Sequence, residues 1–318
     1  MRLIFLALML CCCGSVGKIS PQTADKTALE IKFDNYLKWS NDRVNNGDWL
    51  PDTECDGLLF NSLWVTIGGK ANIPLAHDAS ECGKWYRSPS HSCYPERSKS
   101  SISRDMFLGL SFWIYANRRL DLIEQIISYG KNHRDFLGQW IMGEGDISRT
   151  AIRSNFQGTL FEIMWQLGGH NSDARNNQQL WNPTIKGYES HLQMMHIFLR
   201  QHLGMTIQPY VIEILKNQEK LHPRNALLKA ILKKDQDAIA ILMDDKLFPN
   251  DRLPSSSDRC GFYLWQRDGD SKDWLPCSEN KVHSGLDFLI ASAIILGKIP
   301  QHPKREEQYT VFYIGEDF

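Results

Sequence analysis

Five carboxylates in this chain have the type and setting of catalytic acids. Glu54, Asp56 and Asp105 stand at the front of segments that at once become apolar, and Glu144 and Asp146 lie in the acidic stretch Gly143-Glu144-Gly145-Asp146. Two carboxyl groups facing one bond can cleave a glycosidic linkage, one donating a proton while the other stays ionised. The inverting mechanism separates them by roughly 6.5–9.5 Å, the retaining one by about 5–5.5 Å. Asp56 and Asp105 are the first choice as the pair, because each opens a segment that must be buried; Glu54, and Glu144 or Asp146 on a flexible loop, come next. Arg104, Asn155, His191 and His283 hold equivalent positions before other apolar runs and would bind substrate or adjust the acidity of the pair. Trp85, Tyr86, Trp140 and Trp265 fall in or beside loops and offer flat faces for a sugar ring, although any one Trp is more often core.

Other chemistries use the same residues differently. A lyase removes a proton next to a uronate carboxylate, for which His91, Tyr94, Asn155, His191, Arg224 and His283 supply base and neutralising groups. A non-catalytic glycan- or peptide-binding protein needs the aromatic and cationic residues but no matched acids. Cys260, Cys277 and His283 are close enough in sequence for zinc. In an oxidising compartment a disulfide is the better reading of the two cysteines, so neither a metal nor another cofactor is expected.

The elements that would position these groups are helices. Apolar spacing and Gly or Pro stops mark them at 25–41, 56–66, 104–116, 119–129, 155–167, 190–202, 209–217, 225–233, 235–244 and 283–296. Two-residue alternation is convincing only in Tyr309–Ile314, so strand content should be minor. Several helices begin with one or two polar residues and then turn apolar on nearly all sides, the mark of a buried helix. Those between them, such as 119–129 and 235–244, are amphipathic and suit an outer layer. If the buried helices run parallel, their starts meet on one face and collect the residues above. Ser, Asp and Asn at such starts are also ordinary N-caps. Arg104, His191, Arg224 and His283 are not, and cations sit poorly at a helix start unless an anion is near.

The chain begins Met1-Arg2, continues with an apolar run of about eleven residues through Cys11-Cys12-Cys13, and reaches Gly14-Ser15-Val16-Gly17-Lys18. A positive start, a short apolar stretch and small residues before a cut after Gly17 make residues 1–17 a secretory signal peptide, with 18–318 as one domain. The three cysteines leave a lipid-anchored variant open, though the residue before each is Leu or Cys where such a signal has a small residue. No later stretch is long and apolar enough for a membrane span. Cys82 with Cys93, and Cys260 with Cys277, bracket polar loops and pair most simply as local disulfides, leaving Cys55. A formal net charge of −1 with no basic stripe argues against nucleic acid. There is no Walker loop, dinucleotide fingerprint or nucleophile elbow.

The helix pattern, the polar helix starts and the export signal together resemble the (α/α)6-toroid enzymes that act on polysaccharides, among them glycoside hydrolase and polysaccharide lyase families. The resemblance is architectural and spans roughly residues 54–297. Within it, Cys55-Asp56-Gly57-Leu58-Leu59-Phe60 looks loosely like an Asp-led inner helix, and Ser103-Arg104-Asp105-Met106 like another. The expectation is a mainly α protein, an α/α toroid of helical hairpins with long loops. It would be secreted or periplasmic and cleave a polysaccharide or peptidoglycan with a carboxylate pair.

Overall fold

The computed structural model describes residues 21–50, 57–91, 101–134, 136–141, 147–151, 157–167, 188–205, 207–255 and 285–302. The chain is mainly helical. In order come α1 (Pro21–Asp42), α2 (Gly57–Thr66), a 3-10 turn (Ile73–Ala76), α3 (Arg104–Ala116) and α4 (Leu120–Asn132). An antiparallel pair follows, β1 (Phe136–Ile141) with β2 (Ile147–Ala151). Then come α5 (Gln157–Gln166), α6 (Tyr188–His202), α7 (Pro209–Leu221), α8 (Ala226–Ile231), α9 (Asp235–Leu242) and α10 (Leu286–Leu296). Among the described residues no helix is long and apolar enough to cross a membrane.

Strand content among the described residues is minor and includes one pair that no alternation announces. Gly143–Asp146, which falls between β1 and β2 in sequence, and Tyr309–Ile314 lie outside the described residues. Phe-Leu-Gly-Gln-Trp-Ile shows too little alternation to announce a strand, and its partner Ile-Ser-Arg-Thr-Ala is short and polar. Pairing, which sequence does not display, makes both into strands.

Burial follows the apolar pattern. On α2 every residue from Gly57 to Trp64 is buried, and α10 is buried from Leu286 to Ala293. On α4 only one stripe is buried, Leu122, Ile123, Ile126, Ile127 and Gly130, and on α9 only Ala238, Ile239 and Leu242. α2 packs on α3, α3 on α5 and α6, α6 on α8, α8 on α10, and α10 back on α2, with α1, α4, α7 and α9 each packed against one or more of these. Trp64 exemplifies the core: its ring is fully enclosed, and its indole N–H donates to Ser40 Oγ at 3.0 Å, so burial leaves no polar atom stranded.

Side-chain contacts set the helix directions. Phe112 stacks on Phe198 with centroids 5.1 Å apart, and three residues on Tyr115 meets His202 at 5.7 Å, so α3 and α6 run the same way. Thr159 bonds His196 at 2.7 Å and Gln166 donates to the Leu203 carbonyl at 2.6 Å, which aligns α5 with α6. The starts of α2 and α3 share Arg87, whose carbonyl accepts from Leu58 N at 2.8 Å while its guanidinium donates to Ser103. Four helices, α2, α3, α5 and α6, therefore point one way. On the far side, α10 runs against α1, with Tyr36 on Phe288 at 4.2 Å and Lys298 on Glu30 at 2.8 Å. Lys26–Asp235 and Lys32–Asp245, both 3.4 Å, align α1 with α9.

Candidate functional site

Asp105 occupies the first turn of α3, a position favoured by the free N–H groups there. Ser103, the N-cap, has extended backbone, yet its hydroxyl makes no cap bond. It donates instead to Asp105 Oδ1 and accepts from Arg87 Nη1. Arg87 is itself buried, so the carboxylate hangs from a hydroxyl that is fixed from below. Because the Arg87 carbonyl also takes the Leu58 amide, one residue ties the start of α2 to the start of α3. Gly57 makes that approach possible: a Cβ there would lie 3.0 Å from the Trp49 ring and 3.3 Å from the Arg87 carbonyl oxygen. Arg104 is half-buried beside Asp105.

The segment 77–91 lies over the end of α4 and carries a second polar cluster. Gly83, at φ +87°, sits where a Cβ would be 2.3 Å from the Gln125 carbonyl oxygen, so only glycine permits this seat. Asp78 accepts from both the hydroxyl and the amide of Ser80, at 2.7 and 2.9 Å, and from the Tyr86 hydroxyl at 2.9 Å. The Ser80 bonds, helped by Tyr86 and Lys84, hold its carboxyl far below the usual range. Lys84 reaches Glu81 at 2.9 Å and Asp78 at 3.4 Å. Burial opposes the Lys84 charge, but Glu81 and Tyr86 outweigh it and raise the ammonium. Glu81 also meets His133 at 3.1 Å. Two Tyr–His stacks flank the ion pairs, Tyr86 on His91 at 4.1 Å and Tyr129 on His133 at 4.0 Å. Burial raises both phenols.

The expected site residues fall out as follows. Asp105, Arg104 and Tyr86 sit on or beside the joint start of α2 and α3, where Arg87 joins that start to the 77–91 segment. Trp85 is a core residue, 2% exposed and edge-on to His77 at 5.0 Å, so its face is not offered to a sugar. His191 lies on α6 and Trp140 on β1. Glu54, Cys55, Asp56, Glu144, Asp146, Asn155, Trp265 and His283 lie outside the described residues. So do Cys93, Cys260 and Cys277; Cys82 is exposed with a free thiol. Asn225 is a true N-cap, its side chain accepting from Leu228 N at 2.9 Å.

Several polar residues of the fold carry no sequence signal. Arg87 and Asp78 stand in a stretch without periodicity, and Asp287, buried in the first turn of α10, reads as one polar interruption of an apolar run. Thr159 and His196 form a buried pair. Burial, then the charge of Arg200, pushes the His196 imidazole down to about 3, so the ring is neutral. Among the described residues no three His, Cys, Asp or Glu side chains converge as metal ligands would. Comparison with protein-family models, with curated proteins and with solved structures finds no match for this chain.

Proposed function

We propose that this protein is an exported glycan-cleaving enzyme of the α/α-toroid kind, a glycoside hydrolase whose carboxylate pair is Asp105 and Asp56. The observation that carries the reading is the Arg87–Ser103–Asp105 chain at the joint start of α2 and α3. A catalytic carboxylate must be held within a fraction of an ångström, and a hydroxyl anchored by a buried guanidinium does that. Asp56 immediately precedes Gly57, whose neighbour Leu58 bonds the same Arg87. The closed circuit of packing through α2, α3, α6, α8 and α10, with α1, α4, α7 and α9 packed against its members, supports the toroid. So does the common direction of α2, α3, α5 and α6. On this reading the glycan lies across the helix starts, Asp105 and Asp56 flank the scissile bond, and Arg104 binds a hydroxyl or acidic group of the substrate. Glu54, Glu144 and Asp146 stand as reserves for the second acid, and Asn155, His191, His283, Trp140 and Trp265 as substrate contacts.

The test is to incubate the mature protein with a polysaccharide panel that includes peptidoglycan and uronate polymers. Reducing ends and the ultraviolet absorbance of unsaturated sugars are followed together. New reducing ends without absorbance support the hydrolase. Absorbance replaces it with the lyase, and binding without any product replaces it with a glycan-binding protein.

A further inference from the structure

Arg200 lies near the end of α6 and is 2% exposed, although an arginine keeps its charge at any ordinary pH. Its Nε and Nη1 are buried and meet no acceptor among the described residues. Burial works against the guanidinium charge, and Glu162 on α5 and Tyr210 only partly oppose that. Glu162 accepts from the Gln166 amide at 2.8 Å and leaves those two nitrogens unmet. His196, one turn earlier on the same face of α6, is a neutral ring and cannot serve as a counter-ion. A buried cation whose N–H groups point at nothing is costly unless an anion joins it. A water would accept the hydrogen bonds but add no charge to the partial opposition from Glu162.

We propose that a small monovalent inorganic anion, chloride outside a cell, binds at Arg200 between α5 and α6. The place adjoins two bonds that hold the parallel helices together. Gln166 accepts from the Tyr115 hydroxyl at 3.1 Å and so ties α5 to α3, while His196 bonds Thr159 in the first turn of α5. An anion there fastens α5 to α6 independently of any glycan chemistry on the opposite face.

Bromide is the probe. Crystals of the mature protein grown without halide and soaked in sodium bromide should show an anomalous peak within hydrogen-bond distance of Arg200 Nε or Nη1. A water, a carboxylate of the chain, or nothing at that place overturns the proposal. In solution, thermal unfolding is compared in sodium chloride and sodium gluconate at equal ionic strength. Chloride should raise the wild-type midpoint saturably, by about 5 °C at a hundred-fold excess over its Kd, and should not raise that of Arg200→Met. Equal midpoints in the two salts, or a chloride effect that persists in Arg200→Met, contradict it. Should that variant fail to fold, the bromide map alone decides.

Discussion

Gly109 is the point at which the scaffold of the site can be tested without knowing any substrate. It lies in the middle of α3, and a Cβ added there would come within 2.6 Å of both the Cα and the carbonyl oxygen of Leu59 on α2. Neither is a flexible side-chain tip, so the whole of α2 must move by close to an ångström. Two effects of Gly109→Ala then compete. In an open helix the change favours folding by about 1 kcal/mol through backbone entropy and propensity. Forcing a methyl between packed backbones costs roughly 1–3 kcal/mol, occasionally more. Contact with main chain places this site at the upper end, and the net expectation is a loss of about 2 kcal/mol. For a chain of this size that lowers the melting temperature by about 4–6 °C. Urea unfolding with an unchanged m-value would give the free energy directly. A rise in stability of the size that helix propensity alone predicts would refute the close parallel packing of α2 on α3, and with it the shared start that holds Asp105.

Three other outcomes follow from buried charge and from export. His196 titrates far lower folded than unfolded, so its neutral form stabilises the fold above pH about 6.5, its ordinary value, and that contribution is lost as pH falls toward about 3. Stability should drop over this window by at most about 1.4 kcal/mol per pH unit from this group, and His196→Gln should flatten the profile measured by denaturant titration. Glu219 is held ionised, against the effect of burial, by hydrogen bonds from Lys229 at 2.7 Å and from Lys234. Glu219→Gln would strand the buried Lys229 and should cost about 3 kcal/mol in chemical unfolding, whereas Lys234→Met, at the exposed end of the cluster, should cost under about 1 kcal/mol. Mass spectrometry of protein exported from a cell carrying the full chain should show a mature N-terminus at Lys18.

The helices were legible in the sequence because burial writes itself as periodicity. α3 begins and ends where its apolar run does, at Arg104 and Ala116, and α7 and α9 begin at the expected Pro209 and Asp235. Ends drifted more: α4 runs through Gly130 to Asn132, and α7 runs on to Leu221, where Glu219 meets the lysines of the next hairpin. Asp105 was legible as a polar residue opening a buried helix. What holds it was not, since Arg87 reaches Ser103 across a turn of chain whose residues carry no repeating pattern. Trp85 shows the converse limit. An aromatic in a loop-like stretch resembles a sugar platform, but the segment from Ala76 to Arg87 bonds back on itself, Tyr86 N to the Ala76 carbonyl at 2.8 Å, and folds that ring into the core. Arg200 gives no warning either, because one arginine in an amphipathic helix normally marks the solvent side.

The most direct measurement compares wild-type protein with Asp105→Asn on the glycan that wild type cleaves, scoring the rate of new reducing ends and glycan affinity together. Removal of an acid–base carboxylate should lower the rate by about 10²–10⁴-fold while the folded variant still binds the glycan. An Asp105→Asn protein that cleaves as fast as wild type, or a wild type that releases no reducing ends from any polysaccharide, would contradict the assignment of this face.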